Sequence, residues 1–231
     1  MTTVRTSVKS APAPAPAPAA AETDQSVTDR ILTTIRDDII EGKLLPGTAL
    51  VENDLTQLHD VSRNTLREAL RLLCREGLAV HYRHRGVIVR TLTRHDVRDI
   101  YRVRRTLELQ ALTREEPIDA DDLALMREAI RCAQDAVERE DWRAVGTYSL
   151  LFHRHIVRLL HSALFDAFFT TILAQLRLVF GSAPDERRFQ KPWVAKDQRI
   201  FVLIERGHLD KAQAALAEYL SESEHAMLDY L

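Results

Sequence analysis

Between Phe152 and His161 the chain reads FHRHIVRLLH, three histidines in ten residues. Imidazoles at that density suit a metal site or acid–base chemistry. Helix geometry limits which of them act together. His155, two residues beyond His153, lies about 200° around the axis and faces away. His161 lies about two turns further on and roughly 80° around. His155 and His161 read as surface or capping groups, His161 favouring a helix C-terminal dipole as a cation. Partners for His153 must therefore come from other segments.

A second constellation is cationic. Arg63, Arg67, Arg71 and Arg75 recur every four residues, a single stripe on a helix, with Leu66, Ala69, Leu70 and Leu73 on the opposite face. Residues 61–90 carry seven arginines against two acids, net +5, whereas residues 28–60 carry three bases against seven acids, net −4. A helix that buries its leucines and presents arginines outward can lie in a DNA major groove with phosphates on either side. The alternative is a solvated face laced with local ion pairs such as Glu68–Arg71.

The elements that must position these groups follow from pattern. The chain has 231 residues, net charge −2, seven glycines and eight prolines. That length allows two modest domains or one large one, and scarce glycine favours helices. Residues 1–24, with APAPAPAPAAA, should form a disordered or semi-extended tail. Val27, Ile31, Ile35, Ile39 and Ile40 mark a first helix over 27–41, ended by Gly42. A short helix over 52–59 and a third over 63–76, capped by Ser62, follow. AVHYRHRGVIVR reads as two strands around a basic turn. Beyond it, helical periodicity fills 94–113, 120–138, 141–162, 164–180, 192–206 and 208–230, punctuated by Pro117, Gly181, Pro184 and Gly207.

Cys74 and Cys132 have no metal spacing and read as reduced core thiols. No apolar run approaches the roughly 18–20 residues of a membrane span, and no signal-peptide core precedes the first helix. The expectation is a cytoplasmic protein.

The run PGTALVENDLTQLHDVSRNTLREALRLLCREGLAVHYRHRGVIV resembles the winged helix-turn-helix of GntR-family transcription regulators. The Pro46-Gly47 turn, Leu50, Glu52, Leu55, VSRNTLREAL, Glu76-Gly77-Leu78, Gly86 and Val89 carry the likeness. It departs at Thr65, where the family often has Pro, and at Thr56, where it has Ala. The resemblance implies that Ser62, Arg63, Thr65 and Arg67 lead the recognition helix, with Arg71 further along it. Ser62 and Thr65 would donate to phosphates, and Arg63 and Arg67 would reach guanine or phosphate. His84, Arg85 and Gly86 would carry the wing tip into the adjacent minor groove.

Residues 94–231 resemble the FCD domain of the FadR-like branch of that family, through DIYRVRRTLELQAL, DADDLALMREAI, LLFHRHI and DQRIFVLIERGHLDKAQAALAEYL. This implies a bundle of six or seven antiparallel helices around an effector cavity. Many such bundles hold a divalent metal. The positions that correspond to the metal set are Ser149, His153, Asp197 and Tyr219, of which His153 alone keeps the expected residue. Ser and neutral Tyr are poor ligands, so no resident metal or other cofactor is expected, His153 and Asp197 being weak candidates. A metal-free polar pocket of Ser149, His153, Asp197 and Tyr219 follows instead. Arg104 and Arg177 would pair with a carboxylate-bearing effector. For Arg104 the competing reading is an i, i+4 bond to Glu108.

The sequence thus predicts a mainly α protein: a tail over 1–24, a winged helix-turn-helix DNA-binding domain over 25–92, and an all-α effector-binding and dimerisation bundle over 93–231. Its partners would be a palindromic double-stranded DNA operator, a small-molecule effector and a second copy of itself, with no membrane. Two alternatives remain: an enzyme using His153 as base and Asp197 to orient it, and a DNA-binding protein whose bundle only dimerises.

Overall fold

A computed structural model describes residues 26–114, 116–180 and 185–231. The expected tail, Gly181 and Pro184 lie outside them.

The first helix, α1 (Val27–Ile40), is capped by Ser26 and buries Ile31, Leu32, Ile35 and Ile39. After the turn at Pro46-Gly47 a two-residue strand, β1 (Ala49–Leu50), leads into α2 (Glu52–His59). Asp60 ends α2 in the left-handed region, φ 49°. Then α3 (Arg63–Arg75) begins with the Ser62 hydroxyl accepting from the Thr65 N–H, and buries Leu66, Ala69, Leu70 and Leu73. The wing is β2 (Ala79–Tyr82) and β3 (Gly86–Val89), antiparallel, with Tyr82 opposite Gly86. β1 adds to the outer edge of β3, giving the order β1-β3-β2. The sequence reading missed β1 because two residues are too few to alternate.

The second half contains α4 (Arg94–Ala111), α5 (Ala120–Glu138), α6 (Trp142–Arg158), α7 (Ala163–Phe180), α8 (Glu186–Glu205) and α9 (Leu209–Asp229). A capping box between Thr93 and Asp96 starts α4 directly after the wing. α8 starts at Glu186, six residues before the expected start, and runs through Pro192. Asp185 supplies the cap, its side chain accepting from the Arg188 N–H. α7 is long and apolar enough to span a membrane by length and composition, at mean hydropathy 1.5, which corrects the expectation that no segment is. Half of that helix is buried within the bundle, as a core helix requires.

The halves meet along α6 and α7. The Gln175 side-chain amide donates to the Glu76 carbonyl at 2.6 Å, and the Thr147 hydroxyl to the Ile40 carbonyl at 3.3 Å. Arg177 of α7 packs on Gly42, at the end of α1. Cys74 and Cys132 are free thiols and only half-buried, short of the expected core.

Candidate functional site

On α3 the apolar face is closed and the arginine face is open. Leu66 and Leu73 are fully buried, whereas Arg63, Arg67, Arg71 and Arg75 are all exposed. Arg67 Nε donates to Glu52 Oε2 of α2 at 2.9 Å, and Arg71 Nη1 to Glu68 Oε2 at 3.3 Å. These exposed pairs hold the arginines only lightly. Arg67, Arg71, Arg75, His81 and Glu52 line an open groove of about 700 Å³ between α3 and the wing. Ser62 and Thr65 sit at the leading end of α3, their hydroxyl oxygens 2.8 Å apart. At the wing tip, His84 and Gly86 take positive φ, 70° and 73°, so the turn projects His84 and Arg85 into solvent. Of the sequence-predicted DNA residues, Arg67 and Arg71 line this groove, Ser62, Arg63, His84, Arg85 and Gly86 are exposed, and Thr65 is half-buried.

Inside the bundle lies a polar cluster from four helices. Arg104 of α4 donates through Nε to Glu108 Oε1 at 2.7 Å. The other oxygen of Glu108 is 2.6 Å from His153 Nδ1 of α6. His153 Nε2 faces Asp197 Oδ1 of α8 at 3.4 Å, an ion-pair separation without hydrogen-bond geometry. The Ser149 hydroxyl donates to Asp197 Oδ2 at 2.6 Å. The Tyr219 ring stacks on the His153 ring with centroids 4.8 Å apart. Arg104, Glu108, His153 and Asp197 are at most 3% exposed.

Two bases face two acids here, so the formal charges balance. Burial pushes the Glu108 carboxyl up, and the charges of and bonds with Arg104 and His153 reverse this, leaving its pKa lowered. Burial likewise pushes His153 down, and Glu108 with Asp197 reverses it, leaving it raised. Burial and the Asp197 charge hold the Tyr219 phenol well above its ordinary pKa. Arg104 therefore makes the i, i+4 bond weighed against an effector role, and Glu108, read only as its partner, is the hub.

The space beside this network is small. Ser149, Gln190, Trp193 and Asp197 line a void of about 10 Å³, room for a single water. Arg177 is not part of the network; it lies at the junction of the halves, beside Gly42 and Gly146. The residues also do not fit a tightly held metal. Only His153 Nε2 and Asp197 Oδ1 are left to ligate, since Ser149 donates to Asp197 and Tyr219 stays a neutral phenol, and two ligand atoms fall short of a closed site. His155 is half-buried beside α5 rather than on the surface. His161 lies past the end of α6 at φ 49°. Its ring comes within 4.8 Å of the Asp119 and Asp122 carboxylates, but Asp122 already accepts from Arg158 at 3.1 Å.

Two family models match the chain: bacterial regulatory proteins of the gntR family over residues 27–89, and the FCD domain over 99–222. A solved GntR transcriptional regulator from Rhodococcus sp. RHA1 is 34% identical, with TM-score 0.82, over 87% of this chain and 97% of that one. The chain belongs to the GntR family, in its FCD-containing, FadR-like branch. Escherichia coli McbR/YncC shares the fold, with TM-score 0.76 at 18% identity over 88% of this chain and 98% of that one. The gluconate operon transcriptional repressor of Bacillus licheniformis is 30% identical over 130 residues, 56% of this chain and 53% of the repressor. The chain thus spans about half the length of the curated relatives it matches. This GntR chain carries the architecture of a regulator rather than an enzyme, and the enclosure of His153 and Asp197 agrees with that.

Proposed function

We propose that this GntR-family protein is a transcriptional repressor that binds a palindromic operator as a homodimer in the cytoplasm, under control of a small carboxylate-bearing effector. The observation that carries the DNA reading is the α3 stripe: four arginines exposed on a helix whose opposite face, Leu66, Ala69, Leu70 and Leu73, is sealed into the core. Placed in a major groove, α3 offers Arg63 and Arg67 to base edges or phosphates and Arg71 to the backbone, with His84 and Arg85 of the wing beside it. Selection of bound fragments from sheared genomic DNA tests this. An inverted repeat should emerge, and recovery of unrelated sequences alone refutes it.

The second copy has a surface waiting. Leu164 is 83% exposed, Phe168 49% and Phe165 42%, together on one side of α7. A two-fold partner covers such a patch and sets two recognition helices one helical turn of DNA apart.

The effector reading is supported by buried polar atoms that make no hydrogen bond of good geometry: His153 Nε2, Asp197 Oδ1, Arg104 Nη2 and Tyr101 Oη. Native interiors rarely leave such atoms unpaired. The tie of one relative to a gluconate operon agrees with a carboxylate. The one-water void favours the second reading, a bundle that only dimerises. Thermal-shift screening of organic acids, with and without Zn²⁺, Ni²⁺ and EDTA, separates the two: stabilisation by acids supports the first, and a flat response to all additives supports the second.

A further inference from the structure

The C-terminal end of α3 is held from several sides. Glu76 closes the helix, and its carboxylate takes two nitrogens of Arg36 of α1, Nε at 3.0 Å and Nη2 at 2.5 Å. Such a forked pairing fixes direction as well as distance. The Glu76 carbonyl is one of the last acceptors that a helix cannot satisfy by itself. Its donor comes from the other half of the chain, the Gln175 side-chain amide of α7 at 2.6 Å. Gly77 then takes φ 68°, and the Leu78 N–H returns to the Leu73 carbonyl at 3.0 Å, a common way for a helix to stop.

That stop favours glycine for its φ, and a second demand falls on the same residue. A Cβ on Gly77 would lie 3.0 Å from Gln175 Nε2 and 3.1 Å from Arg90 Nη1. Both side chains close on the bare Cα. The Arg90 N–H also donates to the Leu78 carbonyl at 2.9 Å. Its guanidinium gives Nη2 to Asp96 Oδ1 of α4 at 2.6 Å, and Asp96 is the residue that completes the capping box of that helix. The end of α3 is therefore strapped to α7 through Gln175, with Arg90 beside it tied to α4.

α1 is held separately, by Thr147 of α6 at the Ile40 carbonyl and by Arg177 of α7 on Gly42. A body held at one place can pivot; held at a second place, it keeps its angle. The lever is long. From Glu76 back to Arg63 α3 spans about 20 Å, so a pivot of about 10° moves its leading end by the roughly 3.4 Å of one base-pair step.

We propose that Gln175 is a positioning residue for DNA recognition: by holding the Glu76 carbonyl it fixes the angle of α3 against the bundle, and so sets the half-site spacing that the homodimer accepts. This rests on the reading of the chain as a dimeric operator-binding protein, and it names the contact that makes such a dimer selective for spacing. Gln175 lies at the end of α3 remote from Ser62 and Arg63 and acts through the helix.

Fluorescence anisotropy on the full chain tests it, comparing the unmutated protein with Gln175→Met, which keeps the length of the side chain and loses the donor. The probes are the inverted repeat selected by the unmutated protein, the same repeat with one base pair added at or removed from its centre, and a duplex with a single half-site. The unmutated protein loses at least ~10-fold in affinity when the spacing changes. In Gln175→Met that loss shrinks to ~3-fold or less, while affinity for the single half-site stays within ~2-fold. Its melting temperature stays within about 4 °C, because one hydrogen bond is a small part of the fold. Adding Arg90→Met widens the tolerance further. Should Gln175→Met not fold, Gln175→Asn, one carbon shorter and out of reach of the carbonyl, reads the same change.

A spacing penalty as steep in the variant as in the unmutated protein overturns the assignment. So does a half-site affinity that falls as far as operator affinity, since that is damage to α3 rather than loss of its angle. An inverted repeat bound equally at every spacing by the unmutated protein overturns the strap and leaves the operator reading standing. If selection returns no inverted repeat, the operator reading itself fails and the proposal with it.

Discussion

Glu108 of α4 and His153 of α6 meet in the bundle interior with Oε2 and Nδ1 2.6 Å apart, neither residue more than 1% exposed. Glu108 is also bound by Arg104, so one carboxylate neutralises two buried cations on two helices. Removing its charge strands both. Glu108→Gln keeps the shape and loses the charge, and should destabilise the fold by about 3–5 kcal/mol. Urea unfolding checks this. A loss below about 1 kcal/mol would mean that the cations find other partners.

The histidines give stability a pH dependence with two opposing signs. His153 has a raised pKa in the fold, so its contribution is full below 6.5 and fades as pH rises through the folded value. His155 is the reverse. Burial first, then Arg154 and Arg158, bring it down to about 4. Between pH 6.5 and 4 the unfolded chain takes up that proton and the fold does not, so stability falls as pH drops. His155→Gln should flatten the decline in melting temperature across that window. Parallel curves for the two proteins would show that His155 titrates normally.

The sequence made some of this legible and hid the rest for physical reasons. α3 was plain because Leu66, Ala69, Leu70 and Leu73 repeat with helical period and Ser62 offers a cap. The pairing of His153 with Glu108 spans 45 residues, and no local pattern announces a contact at that range. The i, i+4 spacing of Arg104 and Glu108 drew attention to the near partner and away from the far one. Gly146 and Gln190 carry no sequence signal, since Gly146 acts by lacking a side chain where Arg177 Nη1 and Gln190 Nε2 come close.

Arg67 and Arg71 differ in how they are held, and the difference is measurable. Arg67 is oriented by Glu52 across from α2, whereas Arg71 makes only an i, i+3 pair and its side chain is 77% exposed. Arg67→Ala should weaken operator binding by about 1–3 kcal/mol. Arg71→Ala should weaken binding to any duplex and make the dependence of log affinity on log salt shallower by about 0.9. Fluorescence anisotropy at several salt concentrations reads both. An unaltered slope would remove Arg71 from the phosphate contacts.

Leu164 and Phe168 lie one turn apart on α7 and expose apolar surface that nothing in the chain covers among the described residues. Charging that face should split a dimer without harming the fold, because surface changes usually cost within about 0.5 kcal/mol. Light scattering should report half the mass for the Leu164→Glu, Phe168→Glu double variant, at near-unchanged melting temperature. An intact dimer places the interface elsewhere.

Ser62 has two roles that one substitution cannot separate. Its hydroxyl caps α3 by accepting from the Thr65 N–H at 3.1 Å, and it stands at the end of α3 that would face a phosphate. Ser62→Ala loses the cap and should cost about 1 kcal/mol of stability, so any loss of DNA affinity there is ambiguous. Ser62→Asp supplies a carboxylate that caps as well and suits the helix N-terminus. The same negative charge repels a phosphate. The Asp variant should therefore melt with the unmutated protein while binding DNA more weakly than even the Ala variant. Undiminished affinity in Ser62→Asp would place the leading end of α3 away from the DNA backbone.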